Sequence, residues 1–357
     1  MAYKNLVFKG GGVRGIAYLG ALRAFYEAGG MKNVRRVAGT SAGAITAVLA
    51  SIFPDDFHAL EAAAESLDYS RIPSEKDEPL PEASGKPDAK SNDERGFAAL
   101  GLVKSAQCLH RLVHEKGWYS SSYFYAWLKA TIASRFTVPK RAYTFADFRD
   151  AGIHTGRQAF PDLYVTGTDI SNRKPRLFSW ETTPDMEVAE AVRISMSIPL
   201  FFESKEFAYP GTSSPQVFSD GGVMWNYPLG AFDEPAYQGK GAKGPNPDTL
   251  GFFLYTSNED GYKPIRSLVD YIGALFESLL LVQDRLVLMD ESQTSRSILI
   301  DDCGISQTQF DIAPKDADYE RLVASGYAAA KAFLERSSGL GMVLESIRNR
   351  LAKWLVR

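Results

Sequence analysis

The feature that most constrains the fold is a repeated order of a short apolar run, a glycine-rich turn and a helical pattern. Leu6–Phe8 leads into the string GGGVRG at residues 10–15, after which apolar residues recur at helical spacing until Gly29. Residues 34–38 lead in the same way into the string GTSAG at residues 39–43, followed by a helix of small residues that stops at Pro54. This order predicts a parallel sheet covered by helices.

The rest of the 357-residue chain continues the pattern with one interruption. Further strands are predicted at about 163–170, 177–178, 217–218, 250–255 and 298–300, and helices at about 186–194, 265–292 and 318–336. Residues 73–96 are rich in proline and charge, so we expect a polar, mobile insertion there. Aromatic side chains between Trp118 and Trp127 fit core packing, a lid, or part of an acyl-chain pocket. The prediction is an α/β domain over residues 1–337 with a helical and loop insertion.

The string at residues 39–43 has the form G-x-S-x-G, in which a serine occupies a tight turn between a strand and a helix. Such a turn holds the Ser41 hydroxyl clear of its neighbours, and Gly39 and Gly43 leave room for a substrate carbonyl. Taken alone, the pattern also fits a serine that caps a helix. The strand before it and the helix N-terminus after it favour a nucleophile.

The string at residues 10–15 fits two kinds of site. Gly10, Gly12 and Gly15 satisfy G-x-G-x-x-G between a strand and a helix, which is the pattern of a dinucleotide site. That site needs an acidic residue near the end of the second strand, whereas this strand ends in residues 39–41.

An oxyanion hole is the better interpretation of the same string. Consecutive glycines let the N–H groups of Gly11, Gly12 and Val13 converge on a developing negative charge. Arg14 would then either hold the loop or attract an anionic head group.

The string Asp220-Gly221-Gly222 places a carboxylate on a glycine turn after a short strand. Asp-Gly is a common turn pair, so this string alone also fits a simple turn. An α/β-hydrolase triad runs serine, acid and histidine along the chain, and here no histidine follows Asp220. The four histidines, which we expect to be structural or solvated, are His58, His110, His114 and His154. Asp220 is therefore the predicted base for Ser41.

Composition and charge exclude several classes of protein. The chain is 45% hydrophobic with a formal net charge of −3, which is ordinary for a globular protein and argues against nucleic-acid binding. Cys108 and Cys303 give no disulfide framework or metal-ligand spacing, and we expect reduced, buried thiols.

The N-terminus lacks the pattern of a cleavable signal, and the apolar runs fall short of the ~20 residues that cross a bilayer. We expect a cytoplasmic protein, with export that uses no cleavable signal left open.

Together and in this order, the three strings resemble the patatin-like phospholipases, whose fold is shared with cytosolic phospholipase A2 catalytic domains. The small-residue and proline segment 195–202 is also similar to the segment that lines the site in that family. The resemblance covers residues 5–335 in motif order, with residues 72–162 poorly matched. Lys9 stands where patatins often have an acidic residue. The resemblance implies a three-layer fold, with a mostly parallel central sheet between helices.

The resemblance also implies a function. It implies a phospholipase A or lipid acyl hydrolase that cleaves fatty-acyl esters of phospholipids or lysophospholipids through a Ser–Asp dyad, without metal or cofactor. Ser41 would be the nucleophile, Asp220 the general base, and Gly11, Gly12 and Val13 the oxyanion hole. The supporting residues would be Gly10, Arg14, Gly15, Gly39, Gly43, Gly221 and Gly222.

Two other functions fit parts of the sequence. An NADP-type oxidoreductase would use Gly10, Gly12 and Gly15, but it leaves Ser41 and Asp220 unexplained. A non-catalytic lipid-binding protein would use the same scaffold, and the intact dyad argues against it. Lipid is the expected partner, with transient contact to a membrane surface, while an activator and a homo-oligomer are left open.

Residues 338–357 are predicted to form a C-terminal amphipathic helix. Leu344, Ile347, Leu351 and Trp354 share one helical face, and basic residues lie elsewhere around it. The pattern fits a helix on an anionic membrane, and it fits equally a helix docked on its own domain or on a second subunit.

Overall fold

The computed structural model describes residues 3–74, 108–239, 241–257, 264–266 and 268–337. Its strands are β1 (Asn5–Phe8), β2 (Arg36–Gly39), β3 (Gly117–Tyr119), β4 (Asp162–Asp169), β5 (Lys174–Ser179), β6 (Leu200–Phe202), β7 (Lys205–Phe207), β8 (Gln216–Asp220), β9 (Thr249–Tyr255) and β10 (Ser297–Asp301). Its helices are α1 (Ala17–Glu27), α2 (Ala42–Ile52), α3 (Phe57–Glu65), α4 (Ser122–Ala133), α5 (Val188–Ser195), α6 (Gly222–Trp225), α7 (Leu268–Leu288), α8 (Glu291–Thr294) and α9 (Ala317–Ser337). Residues 108–114 are also helical, and short 3₁₀ helices such as Gly12–Ile16 connect several elements.

One large sheet organises the molecule. Its strands lie in the order β10, β9, β1, β2, β4, β8 and β7, and β5 pairs with β4. Every pair from β10 to β4 is parallel, with Phe8 opposite Gly39 on one side and Phe252 on the other. The remaining pairs, which involve β5, β7 and β8, are antiparallel. The predicted α/β fold with a mostly parallel central sheet is therefore confirmed.

Side chains of the central strands alternate between two apolar cores. Phe8 and Val37 belong to the larger core on one face, whereas Val7, Ala38 and Tyr164 belong to the smaller core on the other. Helices and loops cover both faces of the sheet, and all four residues of β1 are buried. Because both faces are covered, the strand sequences are apolar runs without a regular polar alternation. This double burial explains why such short runs form strands.

The strand register brings two of the predicted strings together. Gly39, at the end of β2, is opposite Val165 of β4. Asp220, at the end of β8, is opposite Gly167, two residues further along the same strand. The turn that carries Ser41 and the turn that carries Asp220 therefore emerge side by side, although 179 residues separate them in the chain.

The differences from the predicted elements have local causes. The helix predicted over 265–292 is divided, because the Asp290 carboxylate caps α8 by accepting the Ser292 N–H at 2.9 Å. Strands β3, β6 and β7 have three residues each, which is too short for a periodic signal. Cys108 is buried as expected, whereas Cys303 is only half-buried.

Two predicted features lie outside the described residues. They are the polar insertion, apart from residues 73–74, and the C-terminal segment 338–357, so the domain boundary at residue 337 stays a prediction. In the described part of the chain, no helix is long and apolar enough to cross a membrane. The outward side of α7 does expose a row of apolar side chains, namely Tyr271, Leu275, Leu279, Val282 and Leu286.

Candidate active site

Ser41 lies on a strained turn between β2 and α2. Its φ of 52° and ψ of −122° are uncommon for a residue with a Cβ atom. The Ser41 N–H donates to Oγ of Ser195 at 2.9 Å, and the Ser41 carbonyl accepts the Ala44 N–H at 2.8 Å. Hydrogen bonds on both sides therefore hold the strained conformation, which has the form expected of a nucleophile on a strand-to-helix turn.

The two glycines of the G-x-S-x-G string allow close backbone contacts around this turn. A Cβ atom at Gly39 would lie 2.1 Å from the Gly43 carbonyl oxygen, and one at Gly43 would lie 2.3 Å from the Phe8 carbonyl oxygen. Both distances are far inside van der Waals contact. Larger residues would therefore push the start of α2 away from β1 and β2, and Ser41 with it.

The glycine loop, residues 10–15, follows β1 and continues into the 3₁₀ helix Gly12–Ile16. Gly12 has a φ of +59°, and a Cβ atom there would lie 2.1 Å from the Gln307 carbonyl oxygen. Both the backbone conformation and this contact require glycine at position 12. Gly12 and Ser41 line the same pocket, so the loop lies beside the serine turn.

The N–H groups of the glycine loop differ in availability. Those of Gly10 and Val13 each donate to a backbone carbonyl at 3.0 Å, in the case of Val13 to Gln307. Within the described residues, the N–H groups of Gly11 and Gly12 donate to no acceptor. The assignment of Val13 to the oxyanion hole is therefore corrected, because its N–H already holds the loop. Gly11 and Gly12 are the available donors.

Arg14 braces the glycine loop from the other side. Its Nη1 pairs with Asp302 Oδ2 at 2.6 Å, its Nε donates to the Gly11 carbonyl at 3.1 Å, and its Nη2 donates to Gln307 Oε1 at 3.3 Å. Asp302 is fully buried, so the guanidinium neutralises a carboxylate that would otherwise be unpaired. Of the two roles predicted for Arg14, this geometry favours holding the loop.

Asp220 is buried at the end of β8, with 1% of its surface exposed. Its Oδ1 accepts the Gly222 N–H at 2.6 Å, and its own N–H donates to the Ser197 carbonyl at 2.8 Å. Its Oδ2 is also buried and has no hydrogen-bond partner in the described part of the chain. One carboxylate oxygen is thus fixed, and the other is free to accept a proton.

Burial raises the pKa of the Asp220 carboxyl to about 7, while the Gly222 N–H and the Ser41 hydroxyl oppose part of that rise. The Ser41 hydroxyl is thus a neighbour of the carboxylate, yet it donates no hydrogen bond to Oδ2 in this structure. Contacts of this kind often tighten only when substrate binds. A carboxyl group with a pKa near neutrality accepts a proton more readily than an ordinary aspartate.

The histidines take no part in this arrangement. His58, His110 and His114 are exposed, and His154 is buried with its ring stacked on Phe160. The His154 ring nitrogens lie 2.7 Å and 2.9 Å from two backbone carbonyl oxygens. All four histidines lie in the described residues, and none hydrogen-bonds to Ser41 or Asp220.

An apolar pocket opens beside Ser41. Apart from Ser41, its lining is mainly aliphatic and aromatic, and includes Ile16, Leu19, Ile45, Leu49, Leu67 and Trp127. Because α2 rises about 1.5 Å per residue, Leu49 lies about 12 Å along the helix axis from Ser41. Of the aromatic residues at 118–127, Trp127 lines the pocket and Phe124 packs in the core.

Several residues that position the site were not predicted individually. Ser195 and Ser197 hold Ser41 and Asp220, and their segment was singled out only by its resemblance. Asn226 and Gln307 accept the N–H groups of the glycine loop from far along the chain. No local pattern marks Asn226 or Gln307, because the groups that accept these two N–H groups are backbone carbonyls, which every residue carries.

A family model described as patatin-like phospholipase matches residues 6–233. The match includes the glycine loop, the Ser41 turn and the Asp220 turn, and it covers more than half of the chain. The chain belongs to the patatin-like phospholipase family. The predicted family and the predicted enzyme class, a lipid acyl hydrolase, are confirmed. The match favours this class over the dinucleotide interpretation of the glycine loop.

Individual proteins are similar over much of the chain. The uncharacterized protein YqhO of Bacillus subtilis (strain 168) is 31% identical over 282 residues, which are 78% of this chain and 80% of YqhO. The probable lipid hydrolase 463L of Invertebrate iridescent virus 6 is 26% identical over 227 residues, 64% of this chain and 62% of that protein. The crystal structure of VipD from Legionella pneumophila matches with a TM-score of 0.53 at 18% identity, covering 94% of this chain and 67% of VipD. The match to VipD supports the fold.

Proposed function

We propose that this protein is a serine hydrolase that cleaves fatty-acyl esters of phospholipids or lysophospholipids, with Ser41 as nucleophile and Asp220 as general base. The observation that carries the proposal is the buried Asp220 carboxylate, which neighbours the hydroxyl of a strained serine and has one oxygen without a hydrogen-bond partner among the described residues. Backbone strain and a desolvated carboxylate both reduce stability, and such features concentrate at functional sites.

The first half-reaction forms an acyl-enzyme. Ser41 Oγ attacks the ester carbonyl carbon while Asp220 Oδ2 takes the hydroxyl proton. The carbonyl oxygen becomes an oxyanion and accepts hydrogen bonds from the N–H groups of Gly11 and Gly12. When the tetrahedral intermediate collapses, the bond to the alcohol breaks, and Asp220 returns the proton to the departing oxygen.

The second half-reaction releases the fatty acid. Asp220 takes a proton from a water molecule, whose oxygen attacks the acyl carbon against the same two N–H donors. Collapse breaks the bond to Ser41 Oγ, and the proton on Asp220 returns to the serine. One ester bond and one water are consumed, and the enzyme is restored.

The pocket supports a fatty-acyl substrate. Its apolar lining starts at Ser41 and continues along α2 to Leu49, so a chain attached to a carbonyl at Ser41 could extend into it. Burial of methylene groups there gives about 0.8 kcal/mol each. A relative named as a probable lipid hydrolase supports the same substrate class.

Other partners remain proposals. We propose transient contact with a membrane surface, for which the segment 338–357 is one candidate and lies outside the described residues. A cytoplasmic location is an expectation from the sequence, which leaves an activator and self-association open. No contact in the described part of the chain bears on them.

Release of fatty acid from defined lipids tests the proposed function. We expect wild-type protein to release fatty acid from phosphatidylcholine or lysophosphatidylcholine in mixed micelles, measured by mass spectrometry, and Ser41→Ala to release none. Ser51→Ala is the matched control, since Ser51 is a buried serine of α2 whose hydroxyl donates to the Pro161 carbonyl at 2.8 Å. Lipid binding without release by the wild type would instead support a non-catalytic lipid-binding protein.

A further inference from the structure

Lys9 is a buried lysine between β1 and the glycine loop. Its side chain is 1% exposed, and its Nζ donates to Asp284 Oδ2 at 2.8 Å and to the Leu254 carbonyl at 2.9 Å. The same Nζ lies 4.9 Å from the centre of the Phe253 ring. Two hydrogen bonds thus fix the direction of the Lys9 side chain, and only Gly10 separates Lys9 from the two residues whose N–H groups are available, Gly11 and Gly12.

The partner of Lys9 belongs to a helix that also holds the other half of the site. Asp284 lies in α7, and its neighbour Gln283 donates to the Gly222 carbonyl at 2.8 Å and accepts the Asn226 N–H at 3.1 Å. Gly222 in turn donates to Asp220 Oδ1. Two consecutive residues of α7 therefore bond to the glycine loop, through Lys9, and to the Asp220 turn.

We infer that the Lys9–Asp284 ion pair is a positioning device, which fixes the N–H groups of Gly11 and Gly12 relative to Asp220 by tying both to α7. The inference rests on the proposed function, because it assigns a role within the same catalytic site. Neither Lys9 nor Asp284 contacts the reacting atoms. They act by fixing the position of the glycine loop.

The composition of the loop explains why such a device is needed. Consecutive glycines have more backbone freedom than any other residues, yet an oxyanion donor acts only at a defined distance. Arg14 and Asp302 fix the far end of the loop through a second ion pair, at 2.6 Å. Lys9 and Asp284 fix the near end, so the residues between are held from both sides.

The electrostatics fit a paired charge. Burial lowers the pKa of Lys9, and Asp284 opposes that by favouring the ammonium form. Burial likewise raises the pKa of Asp284, and Lys9 opposes it. Removing one partner would leave the other buried and unpaired, which is strongly unfavourable, whereas an apolar pair of similar volume can preserve stability.

The test compares turnover with stability in three variants, using a soluble short-chain ester so that membrane contact plays no part. For Asp284→Asn we expect kcat to fall about 10- to 100-fold with KM within about twofold, because the displaced donors act on the transition state. Asp233→Asn is the control, since it weakens another partly buried ion pair, Asp233–Arg296 at 2.6 Å. It should lower Tm and leave kcat unchanged.

The double variant Lys9→Met/Asp284→Leu separates positioning from packing. We expect it to recover the Tm of the wild type but to keep the low kcat, because apolar contacts replace the volume and not the directed hydrogen bonds. If its kcat also recovers, or if Asp284→Asn behaves like Asp233→Asn, the pair is only structural and the inference is wrong. A wild type that fails to hydrolyse any ester would instead overturn the proposed function, and the inference with it.

Discussion

The two sides of Ser41 are built in different ways. On one side lie the glycine loop and the Asp220 turn. There the N–H groups of Gly10, Val13 and Gly222 are held by hydrogen bonds, whereas those of Gly11 and Gly12 are available beside the serine. On the other side lies the pocket, whose walls are apolar side chains from several helices. The polar side is defined by backbone positions, and the apolar side is defined by side-chain volume.

This difference predicts how each side responds to change. A backbone donor or a buried carboxylate cannot be replaced by a similar group, so substitutions on the polar side should abolish or greatly reduce turnover. Pocket walls can be altered by one or a few methylene groups, so substitutions there should shift preference among substrates by modest factors.

The largest effect is expected from Asp220→Asn. Asparagine has the shape of aspartate but cannot take the serine proton, so we expect kcat/KM to fall by about 10⁴-fold or more. Steady-state hydrolysis of a soluble ester measures this, and circular dichroism checks the fold. Activity within tenfold of wild type would remove Asp220 from the mechanism.

The same variant has a predicted effect on stability. The folded-state pKa of about 7 lies above the ordinary value of 3.8, so the folded protein loses stability as the pH rises from about 4 through 7. Asparagine avoids this loss. At pH 8 the free energy of unfolding of Asp220→Asn should therefore equal or exceed that of the wild type.

The next largest effect is expected from Gly12→Ala. The added Cβ atom would collide with the Gln307 carbonyl and displace an oxyanion donor, so we expect kcat to fall about 10²–10³-fold. Gly211→Ala is the control for backbone strain alone, because Gly211 has a φ of +83° and open space where its Cβ would stand. If both variants lose activity equally, the oxyanion role of the loop is wrong.

A smaller effect is expected from pH. Asp220 must be deprotonated to act as a base, and its pKa is about 7, so kcat/KM should fall about tenfold per pH unit below that value. A pH profile with an uncharged ester measures this, with Tm recorded at each pH to exclude unfolding. A rate that stays constant down to pH 5 would contradict a buried carboxylate base.

The smallest effect is expected from Leu49→Ala, which enlarges the pocket about 12 Å from Ser41. We expect the ratio of kcat/KM for a long-chain to a short-chain ester to change by about three- to tenfold. Leu22→Ala is the matched control, since Leu22 is equally buried in α1 and does not line the pocket. An equal change in both variants would show that the pocket does not contact the acyl chain.

The sequence predicted the polar side better than the apolar side, for a physical reason. A strained serine turn and a crowded glycine loop restrict which residues fit, so they leave short local patterns such as G-x-S-x-G. The pocket needs only apolar side chains that meet in space. Leu19 and Leu49 look like any other helix residues that face a core.

The errors on the polar side have the same origin. Val13 was assigned to the oxyanion hole because its neighbours are glycines, but the carbonyl that takes its N–H belongs to Gln307, 294 residues further along the chain. The contact between Lys9 and Asp284 joins residues that are 275 positions apart. Contacts made by single residues far apart in the sequence leave no periodic or local pattern to detect.

The most direct test of the Ser41–Asp220 mechanism is intact-mass analysis after reaction with a fluorophosphonate probe. We expect one adduct on the wild type, mapped to Ser41 by peptide analysis, no adduct on Ser41→Ala, and labelling of Asp220→Asn that is slower by orders of magnitude. An adduct that persists in Ser41→Ala, or a wild type that hydrolyses lipid without being labelled, would contradict an activated serine at position 41.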